Sequence, residues 1–151
     1  MNKPNLFIVG APKCGTTSMF SYLQQHPDIF MSNNKEPHYF GSDLTRIGNL
    51  YNFTENEYLK LFFNANDEKI IGEASTHYLY SKTAPKEIKS FNKESKIIIM
   101  LRNPVELISS LHSQFLYSKN ESEKDFEKAL KLESDRKNGL FIPTNLNLLE
   151  K

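Results

Sequence analysis

The stretch that most constrains this chain is Gly10-Ala11-Pro12-Lys13-Cys14-Gly15-Thr16-Thr17-Ser18, which follows the apolar run Leu6-Phe7-Ile8-Val9 and leads into Met19-Phe20-Ser21-Tyr22-Leu23. A short apolar run, a glycine turn and a helix-like segment read as strand, loop and helix start. Gly10 and Gly15 can adopt backbone angles closed to other residues. The N–H groups of Gly15 through Ser18 then lie at a helix N-terminus, where unpaired donors and the helix dipole favour a phosphate. Lys13 adds a full positive charge. The Gly-x4-Gly spacing is that of a phosphate-binding loop, except that the lysine lies two residues before the second glycine instead of directly after it.

Three later stretches extend the pattern. Asp28-Ile29-Phe30-Met31 reads as a second strand, and the turn residues Ser32-Asn33-Asn34 deliver Lys35-Glu36-Pro37-His38-Tyr39-Phe40, a dense polar and aromatic cluster. Lys69-Ile70-Ile71-Gly72-Glu73 reads as a buried strand ending in Ala74-Ser75-Thr76-His77-Tyr78-Leu79. Lys96-Ile97-Ile98-Ile99-Met100-Leu101, apolar on both faces, is expected to be a central parallel strand. It closes on Arg102-Asn103-Pro104-Val105-Glu106, and a helix follows with Leu107, Ile108, Leu111, Phe115 and Leu116 expected on its buried side. Kinases and ATPases with a phosphate loop hold Mg²⁺ with an acidic residue that closes an apolar strand. Here that strand closes on a cation, which suits a second phosphate. Glu73 is the acidic candidate for the metal role and keeps a nucleotide or small-molecule kinase as the alternative, with a non-catalytic nucleotide-binding module third.

Taken in order, these stretches resemble the sulfotransferases that use 3′-phosphoadenosine 5′-phosphosulfate (PAPS). Pro12-Lys13-Cys14-Gly15-Thr16-Thr17 is similar to their 5′-phosphosulfate loop, P-K-x-G-T-[TS], and Lys35-Glu36-Pro37-His38-Tyr39-Phe40 to the K-E-x-H-[FY]-F segment of the branch that includes heparan sulfate enzymes. Gly72 to Leu79 resembles G-E-[KA]-[ST]-P-x-Y-[LF], with Thr76 where proline is usual and Ala74 where the glycosaminoglycan enzymes often have lysine. Leu101 to Ser110 resembles the 3′-phosphate motif, L-R-[ND]-P-x-[ED]-R-x-x-S, with Leu107 in place of its second arginine. The resemblance spans roughly Leu6 to Leu116 and lacks the family's later basic loop, so the chain looks like the N-terminal portion of a longer sulfotransferase or a shortened one.

The resemblance implies PAPS as sulfuryl donor, no metal, and a hydroxyl or amine acceptor on a small molecule or glycan. It places Lys13, Cys14, Gly15, Thr16, Thr17 and Ser18 on the 5′-phosphosulfate and Arg102 with Ser110 on the 3′-phosphate. Sulfuryl transfer needs a base for the acceptor proton and a cation for the leaving phosphate oxygen. Lys13 fits the second role. Glu36 is the base that the resemblance implies, and His38 is its rival, since imidazole as a class titrates near neutral pH. Glu73, Ser75 and His77 either line the acceptor pocket or are strand-end polarity.

Composition narrows the remaining classes. With 151 residues, 38% of them hydrophobic and 25% charged, the chain fits one α/β domain over 1–151, a mostly parallel sheet flanked by helices. A net charge of +1 with both signs dispersed gives no general attraction for nucleic acid or an anionic membrane, so any anion site is local. The single cysteine, Cys14, has no internal disulfide partner and reads as a small loop filler. Without a leader-like start or a long apolar run, the expected location is cytoplasmic.

Overall fold

The computed structural model describes residues 2–44 and 53–141, which fall into two compact units divided between Leu101 and Arg102. The first unit is built on four parallel strands in the order β2-β3-β1-β4: β1 is Leu6–Gly10, β2 Ile29–Met31, β3 Ile70–Ala74 and β4 Lys96–Ile99. Every residue of β1 is buried, because it pairs on both edges and is covered on both faces. Helix α1 (Thr16–Leu23) closes one face, where Phe20 packs with Leu6, Ile8, Met31 and Ala74. Helices α2 (Glu55–Lys60) and α3 (Ala84–Phe91) close the other, over a core that includes Phe7, Phe40, Tyr58, Phe62, Tyr78 and Ile88.

The local signals act where the sequence puts them. Thr54 and Glu57 form a reciprocal capping box on α2, with Glu57 Oε2 accepting the Thr54 N–H at 2.8 Å. Tyr58, Leu59 and Phe62 go into the core, whereas Phe63 is 83% exposed in the turn that ends the helix. Pro85 sits in the first turn of α3.

The expected central strand is instead at an edge. Among the described residues β4 pairs with β1 alone, and Ile97 and Ile99 are 47% and 54% exposed. An apolar run records how much burial a strand can use, but strand order is decided by long-range pairing that no local pattern encodes. Beside β4 lies a cavity of about 300 Å³, lined by Val9, Leu79, Pro85, Ile88, Ile97 and Ile99.

The second unit begins at Arg102. Asn103 caps α4 (Pro104–Tyr117), its Oδ1 accepting the Val105 N–H at 3.0 Å, and Pro104 occupies the first turn. The buried side expected for this helix is not formed among the described residues: Leu107, Leu111 and Leu116 are half-buried, and Ile108 and Phe115 are exposed. After Asp125 come two short helices, α5 (Phe126–Lys131) and α6 (Glu133–Lys137), and Gly139 ends the pair at φ +81°. Arg136 joins α6 to Glu121 through two parallel hydrogen bonds of 2.5 and 2.8 Å. No helix among the described residues is long and apolar enough to cross a membrane.

Candidate functional site

Three segments meet at the carboxyl ends of adjacent parallel strands, the place where α/β sheets set their ligand sites. The first is the Gly10–Thr16 loop after β1. Its start is tied to the end of β4, Ala11 N–H donating to the Met100 carbonyl at 2.7 Å and Met100 N–H to the Gly10 carbonyl at 2.8 Å. Gly15, at φ +80°, caps α1 in the left-handed region, and Lys13 shares that region at φ 60°. Met19 N–H donates to the Gly15 carbonyl at 3.0 Å, so the N–H groups of Thr16, Thr17 and Ser18 precede the helical ladder. Cys14 and Thr16 are buried beneath the turn, while Gly15, Thr17 and Ser18 are exposed. The sequence expectation of an outward-facing amide turn is met, with Cys14 filling its underside.

The second segment follows β2. Glu36 N–H donates to the Ala74 carbonyl at 2.8 Å, which lays the chain alongside the end of β3. Glu36 and His38 both have positive φ, 60° and 48°, although neither is glycine. Their side chains meet, Glu36 Oε2 lying 2.9 Å from His38 Nε2. The Lys35 ammonium is 2.7 Å from Glu36 Oε1. Burial pushes the Glu36 carboxyl up, but hydrogen bonds from His38, Lys35 and the Thr76 N–H outweigh it and hold the pKa at about 2. The group is an ionised carboxylate in a nearly complete cradle.

The third segment is the turn after β3. Thr76 donates to Glu36 with both its N–H and its hydroxyl. A proline at this position would lack the N–H, so the departure from the usual motif supplies one of the bonds that hold Glu36. His77 stacks on His38 with ring centroids 4.9 Å apart, and its pKa is lowered first by burial and then by the neighbouring His38. This turn also touches the phosphate-loop glycine: a Cβ on Gly10 would lie 2.7 Å from the Thr76 carbonyl oxygen and 2.9 Å from Leu79 Cβ. Only glycine fits at position 10.

Of the two readings open for Glu73 and Ser75, burial favours strand-end polarity, since both are fully buried. Glu73 accepts hydrogen bonds from Tyr58, Ser75 and Tyr78, so its carboxylate faces the core and not the loop where a metal-bound nucleotide would sit. The buried tyrosine partners were beyond sequence reasoning, because Tyr58 and Tyr78 are drawn from separate elements.

Arg102 and Ser110 lie in the second unit, Arg102 just before α4 and Ser110 half-buried on it. Arg102 Nε donates to Glu106 Oε2 at 2.8 Å. Glu106 and Ser110, four apart on α4, lie on one helical stripe.

The sulfotransferase domain family matches residues 3–141. Carbohydrate sulfotransferase 15 of Mus musculus is 33% identical over 82% of this chain, and heparan sulfate glucosamine 3-O-sulfotransferase 6 of Homo sapiens is 31% identical over 75% of it. The chain spans 29% and 31% of those two proteins. A crystal structure of a sulfotransferase from Alicyclobacillus acidocaldarius superposes with a TM-score of 0.80 at 32% identity, covering 95% of this chain and 62% of that one. With the family matched over residues 3–141 and a solved sulfotransferase at 32% identity over 95% of the chain, the chain belongs to the sulfotransferase domain family.

Proposed function

We propose that this chain carries the donor-binding and acceptor-activating part of a sulfotransferase that moves a sulfuryl group from PAPS to a hydroxyl or amine, with a glycan as the acceptor class. The names of two relatives, which specify carbohydrate and heparan sulfate glucosamine, support the glycan. The observation that carries the reading is the Thr76 turn, which touches Gly10 of the phosphate loop and holds the Glu36 carboxylate. An anion cradle and a proton acceptor are thereby set side by side.

PAPS supplies the activated sulfuryl group. The amides of Gly15 through Ser18 suit its 5′-phosphosulfate, and Lys13 offsets the charge that grows on the bridging oxygen as the bond to sulfur breaks. Glu36 and His38 receive the acceptor proton as one unit. At a pKa of about 2 the Glu36 carboxylate alone is a weak base, and the 2.9 Å contact lets the imidazole share the proton. Arg102 and Ser110 serve the 3′-phosphate, through the fork of donors that an arginine offers to phosphate oxygens.

Calorimetric titration tests the reading without knowledge of the acceptor. Adenosine 3′,5′-bisphosphate, the product left by PAPS, should bind more tightly than adenosine 5′-phosphate, and without Mg²⁺. Equal affinities, or ATP with Mg²⁺ as the better ligand, would remove the assignment.

A further inference from the structure

Glu73 is fully buried, and an ionised carboxylate persists in a core only when it is well hydrogen-bonded. Tyr58 and Tyr78 each donate a hydroxyl to its Oε1 at 2.8 Å, and Ser75 donates to Oε2 at 2.7 Å. Two of these hydroxyls have a second partner. Ser75 Oγ accepts the His38 N–H at 3.0 Å, and Tyr78 Oη accepts the Phe40 N–H at 3.2 Å. A hydroxyl has one proton and two lone pairs. With the proton committed to Glu73, the lone pairs are turned toward the two amides, so the carboxylate sets the direction in which both hydroxyls can accept.

The segment held in this way includes the residues that need holding. Glu36 and His38 adopt left-handed backbone conformations that side chains disfavour, and such strain survives only where surrounding structure enforces it. Glu36 is fixed from one side by the Ala74 carbonyl and Thr76. The amides that follow it in the chain are fixed by Ser75 and Tyr78.

We propose that Glu73 is a positioning residue of the active site: it orients the Ser75 and Tyr78 hydroxyls, which pin the amides of His38 and Phe40 and so hold the Glu36–His38 pair in its working geometry. The inference rests on the sulfotransferase reading of the same site. It gives Glu73 no contact with donor or acceptor.

The test compares Glu73→Gln, Ser75→Ala and Tyr78→Phe with the wild-type chain by amide hydrogen exchange, by titration with adenosine 3′,5′-bisphosphate, and by transfer from PAPS to heparan sulfate as the acceptor probe. Ser75→Ala should accelerate exchange at His38 and Tyr78→Phe at Phe40, each on the order of tenfold, with the β1 amides unchanged. Glu73→Gln should accelerate both. In all three, kcat should fall, by on the order of 10²-fold for Glu73→Gln, as misplacement of a catalytic group does. Affinity for the bisphosphate and KM for PAPS should stay at the wild-type level. Unchanged protection at His38 and Phe40, acceleration shared with β1, or a parallel loss of kcat and bisphosphate affinity would each overturn the proposal. If the wild-type chain neither binds the bisphosphate nor transfers sulfate, the functional reading falls, and the exchange measurement still decides whether Glu73 anchors the segment.

Discussion

Thr76 grips Glu36 twice, its N–H lying 3.0 Å from Oε2 and its hydroxyl 3.1 Å from Oε2 and 3.2 Å from Oε1. Together with Lys35 and His38 this keeps the carboxylate ionised down to about pH 2, below the 4.5 of an ordinary glutamate. Protonation therefore favours the unfolded chain. The contribution to stability is complete above about pH 4.5 and is lost as the pH falls toward 2, and it amounts to roughly 2–3 kcal/mol. Thr76→Val, which removes the hydroxyl alone, should shift the acid unfolding midpoint upward. Glu36→Gln should flatten that part of the stability profile, measured by denaturant titration across pH.

If Glu36 and His38 take the proton as one unit, their losses should not add. Glu36→Gln and His38→Ala should each lower kcat by about 10²–10⁴-fold, the usual worth of general-base help, and the double variant should be no worse than the more damaging single. The larger single loss marks the side chain on which the proton rests. Multiplicative losses in kcat would show two separate functions.

Under the proposed function, Lys13 acts on charge that appears only as the donor bond breaks. Lys13→Ala should lower kcat by on the order of 10²–10³-fold, as loss of one oxyanion donor does, with a much smaller change in affinity for adenosine 3′,5′-bisphosphate. Equal losses in the two measurements would reduce Lys13 to a binding residue.

Arg102 pairs with Glu106, and an exposed ion pair contributes only about 0–1 kcal/mol. A charge-assisted bond to phosphate is worth about 1.5–3 kcal/mol, so the arginine can exchange partners at a net gain. Arg102→Ala should erase most of the preference for adenosine 3′,5′-bisphosphate over adenosine 5′-phosphate while leaving the second ligand nearly unaffected. A variant that unfolds more easily but keeps its selectivity would assign Arg102 to the Glu106 pair alone.

What the sequence disclosed and what it withheld follow from the range of the interactions. The phosphate loop was legible because everything that forms it, from Leu6 to Leu23, is contiguous: an apolar strand, glycines at the turn and a helix start. The capping box of α2 and the proline start of α3 were legible for the same reason. The edge position of β4 was not, because its run of isoleucines is compatible with any neighbour. Nor was the burial of Glu73, since a glutamate ending a strand reads as site polarity until Tyr58 and Tyr78 arrive from other parts of the chain. The positive φ values of Glu36 and His38 were hidden too, because those residues carry side chains that argue against them.

The tight approach of Gly10 to the Thr76 carbonyl has a thermodynamic corollary. With no room for a side chain at Gly10, the loop after β1 packs directly on the turn after β3, and that turn carries the bonds to Glu36. If donor and acceptor bind on either side of this contact as proposed, any effect of one on the affinity of the other is returned by the same factor. Under the proposed function such a coupling would be the same whichever substrate binds first, carried by a contact that neither of them makes.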